Sequence, residues 1–170
     1  MLTTEALADA ARRAGLDTAC AIVRPLRPGG SPVEFGTDRS FYPASMIKTP
    51  LAVVAYDAIA NGNLRLDDRF DVTDANMTFN DKPSPLVPGY RATVRELLEL
   101  MITISDNFAT NIFFDILGRE LATATIRQRY GLADTSFHRK LSGSEPLIVD
   151  PDWIRERGLN THPPRDAVAI

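Results

Sequence analysis

One cysteine, two histidines and three lysines stand among 170 residues, and each shortage removes a kind of chemistry. Cys20 has no partner for an internal disulfide, and neither His138 nor His162 stands at metal-ligand spacing from it. The sequence therefore predicts no redox centre, no metal site and no cofactor. No apolar run reaches the roughly 18 residues that a membrane-crossing helix requires, and no segment is of low complexity. Neither sign of charge is in large excess: a net charge of −3 and a pI near 5.4, with the basic residues spread out, argue against nucleic acid or anionic lipid as partners. The opening MLTTEALADAARRAGL carries acids early and lacks the basic start and apolar block of a secretory signal. The expectation is a cytoplasmic chain, or a periplasmic or secreted one whose leader has been removed.

What is present is an ordinary globular balance, 44% hydrophobic and 24% charged, in a chain long enough to bury roughly 70% of its unfolded surface. Thr4 to Ala14 reads as an amphipathic helix, with Leu7, Ala10, Ala11 and Ala14 on one stripe and Gly15 as its stop. Thr18 to Val23 and Val33 to Phe35 read as two strands of a hairpin joined through RPLRPGGSP, with Cys20 a small core residue of the first. From Ser45 onward the pattern is helical. Met46, Ile47, Leu51, Val53, Val54, Tyr56 and Ile59 are too many for one stripe, which predicts a helix buried nearly all round, starting close to Ser45 because Pro50 is tolerated only near a first turn. NGNLRLDD ends it, and DVTDANMTFNDKPSPLVPGY reads as a long polar loop. Thr93 and Glu96 form a capping box for a helix that buries Val94, Leu97, Leu98, Met101 and Ile102. Two further helices end at Gly118 and Gly131; the first buries Ile112, Phe113, Ile116 and Leu117. The chain is loop-like from there to Asn160, and RDAVAI begins another helix. The expected division is 1–42, a helix and strand pair, and 43–170, a helical lobe.

The stretch PASMIKTP, residues 43–50, places Ser45 three residues before Lys48. A serine hydroxyl is a poor nucleophile until a base takes its proton, and a lysine serves as that base only when burial or nearby positive charge lowers its pKa. Residues three apart on a helix share a face, so the two side chains can meet without any long-range contact. An apolar helix would favour the neutral amine, and the helix start offers free N–H groups to an oxyanion. With eight serines and three lysines, such a pair arises by chance in roughly one chain in seven, so the spacing alone does not decide the matter. Its company adds weight: SDN follows at residues 105–107, at a turn between two predicted helices, although Ser, Asp and Asn are also ordinary turn residues.

PASMIK, SDN at its distance, and the filler AIANGNLRLDD and TVRELLELMITISDN together resemble the class A serine β-lactamases and their penicillin-binding relatives. The resemblance implies an α+β, β-lactamase/transpeptidase-like fold: a helical lobe against an antiparallel sheet to which this chain contributes its N-terminal strand pair. It also implies that Ser45 is the acylated nucleophile and Lys48 its base. Ser105 would relay a proton to the leaving nitrogen, and Asn107 would bind the substrate's amide side chain and help hold Lys48. Asp106 would fix the turn. The implied substrate is a small-molecule β-lactam or a peptidoglycan-like peptide.

Two departures qualify this. Relatives carry a glutamate, with an asparagine four residues on, to activate water against the acyl-serine. Here HRK followed by Leu141 falls at that place, and Glu145-Pro146 imitates the motif with Val149 where the asparagine would stand. Glu145 is the candidate deacylation base; otherwise Glu145, Asp150 and Glu156 are solvated loop charges. Without a base the acyl-enzyme persists, and the protein resembles a penicillin-binding protein, a D-alanyl carboxypeptidase or an esterase. The resemblance also implies C-terminal strands bearing lysine-threonine-glycine and a second oxyanion donor, and no such motif occurs before Ile170. One lost oxyanion donor commonly costs about 10²–10³ in rate. The expectation is a nearly inactive chain, complemented by a C-terminal segment or a second copy of itself, with a non-catalytic helical module as the alternative.

Overall fold

A computed structural model describes residues 2–16, 18–26, 28–37, 39, 42–141 and 158–170. Its elements in chain order are α1 (Thr4–Arg13), β1 (Ala21–Val23), β2 (Val33–Phe35), α2 (Lys48–Ala60), β3 (Arg69–Asp71), β4 (Arg91–Thr93), α3 (Val94–Thr103), α4 (Asn107–Leu117), α5 (Arg119–Tyr130) and α6 (Pro164–Ala167). A 3₁₀ turn, Ala44–Ile47, leads directly into α2. Among the described residues no helix is long and apolar enough to cross a membrane.

Both sheets are antiparallel pairs: Ala21 faces Phe35 and Val23 faces Val33 in one, Arg69 faces Thr93 and Asp71 faces Arg91 in the other. The hairpin expectation holds for the first, though β1 is shorter than predicted and Cys20 lies half-buried just before it. The ladder stops short because Gly36, at φ +61°, turns the chain against the carbonyl of Ala19; a Cβ there would lie 3.0 Å from that oxygen. The second sheet, which the sequence reading missed, brackets the loop read at residues 71–90 and takes only Asp71 from it; three-residue strands are too short to show a period of two. That segment also holds a 3₁₀ turn, Asp74–Asn76, closed by a capping box between Thr73 and Asn76.

The core is built around α2, which packs on α3, α4 and α5. Pro50 lies in its first turn, where the missing N–H costs little, and Ile47, Leu51, Val54 and Ala55 are buried. The segment is not buried on every side: Met46, in the turn before α2, and Tyr56, on α2, are more than half exposed. Helix α3 starts as predicted, the Thr93 hydroxyl accepting from the Glu96 N–H while the Glu96 carboxylate accepts from the Thr93 N–H. It turns Val94, Leu97, Leu98 and Met101 inward but leaves Ile102 exposed. Phe113 of α4 is fully buried, worth roughly 3 kcal/mol by area, whereas Ile116 and Leu117 are half-buried. Gly118 and Gly131, both at φ 71°, end α4 and α5 in backbone conformations that favour glycine.

The C-terminal residues dock on the segment after α5. Ser136 and Thr161 exchange backbone hydrogen bonds, and the buried Thr135 hydroxyl donates to Asp166 (2.7 Å). That hydroxyl has one proton, so the 2.9 Å contact to His162 makes Nδ1–H the donor. Helix α6 begins at Pro164, one residue before the RDAVAI helix start read from the sequence.

Candidate active site

Ser45 sits in the 3₁₀ turn, with its side chain exposed, one turn before the buried Lys48 at the start of α2. Ser105 follows the end of α3, and Asp106 caps α4 through its Oδ1, which accepts from the Ala109 N–H at 2.9 Å. Packing of α2 on α4 brings the two motifs together across a sequence distance of 60 residues.

The contacts converge on the Lys48 ammonium. Its Nζ donates to Ser45 Oγ (3.1 Å), Ser105 Oγ (2.8 Å), the Ser105 carbonyl (2.6 Å) and Asn107 Oδ1 (2.7 Å). Three N–H bonds serve four acceptors, so at least one is shared. The Ser105 hydroxyl donates to Ser45 Oγ at 2.9 Å, closing a triangle of two hydroxyls and an amine. Burial lowers the Lys48 pKa from 10.5 to about 8, against the attraction of Asp106 and Asp81. Lys48 is therefore only partly converted to the neutral base that an apolar helix implies, with about a tenth of it uncharged at pH 7.

Two non-glycine residues have positive φ among the described residues, and both are here: Ala44 (47°), immediately before the nucleophile, and Ser105 (62°). Each such residue costs roughly 1–2 kcal/mol, and strain of this kind gathers at functional sites. Asn107 binds the loop before β4 as well as Lys48, donating from Nδ2 to the Phe79 carbonyl (2.7 Å) while its own N–H reaches Asn80 Oδ1 (2.7 Å). Asn80 also donates to Asp106 (3.2 Å).

The sequence reading missed Asn80 and Asn111. Asn111 is fully buried on α4 and brackets Leu141, accepting from its N–H (2.7 Å) and donating to its carbonyl (3.0 Å). A lone asparagine within the apolar run NIFFDIL was the available signal. Lys140, buried beside it, pairs with Asp115 (2.7 Å). Leu141 is thereby held in the wall of a cavity of about 180 Å³ shared with Ser45, Tyr42, Phe79, Asp81 and Asn107. Glu145, Asp150 and Glu156 lie outside the described residues. Among the described residues no cluster of three His, Cys, Asp or Glu side chains is placed to hold a metal.

A model of the beta-lactamase enzyme family matches residues 3–170. The chain belongs to that family. Among solved structures it is similar to a beta-lactamase from Sphaerobacter thermophilus DSM 20745, with 30% identity, TM-score 0.72 and coverage of 96% of this chain and 58% of that one. PBP-A is 31% identical over 81% of this chain and 48% of its own, at TM-score 0.65. A leucine-to-glutamate variant of PBP-A, solved as an acyl-enzyme complex with penicillin G, matches at 31% identity and TM-score 0.65 over 82% of this chain and 48% of that one. No curated protein matches the chain. The β-lactamase/transpeptidase-like fold is thus shared, and the chain spans 58% or less of the length of these relatives. This chain's own part of that fold comprises two antiparallel strand pairs and the helices packed around α2.

Proposed function

We propose that the chain carries the acylating centre of a serine hydrolase that opens β-lactams or related amides and esters through an acyl-Ser45 intermediate. The observation that carries this reading is the triangle of Ser45 Oγ, Lys48 Nζ and Ser105 Oγ, with separations of 3.1, 2.8 and 2.9 Å. A neutral Lys48 takes the Ser45 proton as Oγ bonds to the carbonyl carbon. The ring C–N bond then breaks, its nitrogen taking the Ser105 hydroxyl proton, and Ser105 is reprotonated from the Lys48 ammonium. Asn107 holds Lys48 throughout and presents its remaining amide N–H to the substrate's amide side chain.

Leu141 supports slow deacylation. A side chain without acid or base chemistry occupies the cavity wall beside Ser45, at the place the resemblance assigns to the water-activating glutamate. This favours a penicillin-binding character over rapid turnover. Glu145 supplies the base only if its segment brings it to the ester.

A fluorescent penicillin followed by intact-mass analysis tests the proposal. The expected result is a lasting adduct of one penicillin on Ser45, absent in Ser45→Ala, with little nitrocefin hydrolysis. Leu141→Glu should shorten the adduct's life. An adduct that persists in Ser45→Ala would remove the nucleophile assignment.

A further inference from the structure

The cavity beside Ser45 has a rim of uneven chemistry. Tyr42 and Phe79 present aromatic surface, 39% and 46% exposed, and Asp81 is the one carboxylate among its described lining residues. Asp81 is exposed and makes no hydrogen bond or ion pair with any described residue. The other acid near the site is already committed: Asp106 is 1% exposed, its Oδ1 taken by the Ala109 N–H and its Oδ2 by Asn80. Of the nearby cations, Lys48 lies buried behind Ser45 and Arg139 stacks over the Tyr42 ring, 5.4 Å from its centroid. Lys82, next in sequence, does not line the cavity. A carboxylate without a partner among the described residues therefore stands at the mouth of the acylation site, near enough for its charge to be felt by Lys48.

Resting on the acyl-Ser45 reading, we propose that Asp81 selects acyl donors whose side chain bears a primary ammonium beside an apolar or aromatic group. The ammonium pairs with Asp81, and the apolar part lies against Tyr42 and Phe79, whose ring faces also favour cations. An exposed pair of this kind changes affinity by only a few-fold, so the effect is a preference within one substrate class.

The test uses two penicillins that differ by one amino group, ampicillin and benzylpenicillin, at pH 6.5 and low salt, where the amino group is largely charged. Acylation rates of Ser45 are read by intact mass for the wild type and Asp81→Asn. Loss of the carboxylate also weakens the hold of Lys48 on its proton, which changes both rates together, so recognition is read from their ratio. The expected ampicillin-to-benzylpenicillin ratio is about three- to ten-fold higher in the wild type than in Asp81→Asn, and this difference fades by 0.5 M salt. Carbenicillin, with a carboxylate at the same carbon, should gain on benzylpenicillin when Asp81 is replaced. Equal ratios in the two proteins, with adducts forming in both, overturn the role of Asp81 and leave the acyl-serine reading standing. Absence of any adduct in the wild type overturns both. Asp81 has no described partner to lose, and matching circular dichroism of the two proteins checks that the variant is folded.

Discussion

Between Leu2 and Phe35 no described apolar side chain is fully buried, whereas the buried apolar core runs from Ile47 to Leu141. The first region has α1 resting on β2 and a two-stranded hairpin, tied to the C-terminal residues by Arg165 on Glu34 and Arg24 on the Val168 carbonyl. The second encloses α2 with α3, α4 and α5, and it alone contributes Ser45, Lys48, Ser105 and Asn107. All four site residues therefore come from the region that holds the buried core. An amphipathic pattern such as that of α1 announces which face is apolar; how deeply that face is buried depends on the surface opposite.

The contrast is most sharply tested by core truncation. Phe113→Ala should cost about 3–5 kcal/mol in a urea titration, enough to unfold much of a domain of ordinary stability, and take the site with it. Asn111→Ala leaves the Leu141 N–H and carbonyl without their partner and should cost about 2 kcal/mol, with an altered acyl-enzyme lifetime as the second readout. Acylation should rise with pH and level off above about 8, as Lys48 becomes neutral. A rate flat from pH 6 to 9 would remove Lys48 as the base. The same shift favours folding as pH rises from about 8 to 10.5, because over that range the unfolded chain retains a proton that folded Lys48 has released. His162 acts in the acid range: burial lowers its pKa, so stability should fall as pH drops below 6.5, and His162→Gln should flatten that limb of the profile. The smallest effect belongs to the first region, where Leu7→Ala should cost under about 1 kcal/mol and leave acylation unchanged. A larger loss would mean that α1 supports the core after all.

Local chemistry was the legible part. The Thr93–Glu96 box, the stops at Gly118 and Gly131 and the Ser45–Lys48 pairing all depend on residues within a turn of one another, and all appear where the spacing places them. Leu141 lies in the nucleophile's cavity, at the place the family resemblance assigns to its glutamate. Illegible features needed distant partners: β3 with β4, Asn111 with Leu141, and Asn80 with Asp106 and Asn107. Burial was misjudged at Cys20, Met46, Tyr56 and Ile102, because hydrophobicity specifies preference while exposure depends on what packs opposite.

From the sequence alone came the Thr93 cap, the helix stops at Gly118 and Gly131, the closeness of serine and lysine, and the turn at Ser105 to Asn107, since each is a property of a few adjacent residues. Tertiary structure decided that the Ser105 hydroxyl and Asn107 amide meet Lys48, that the lysine lies buried with its pKa near 8, and that Leu141 and Asp81 border the same cavity. Those outcomes depend on α2 packing against α4 and on the removal of water around one amine, and neither is encoded in any local period.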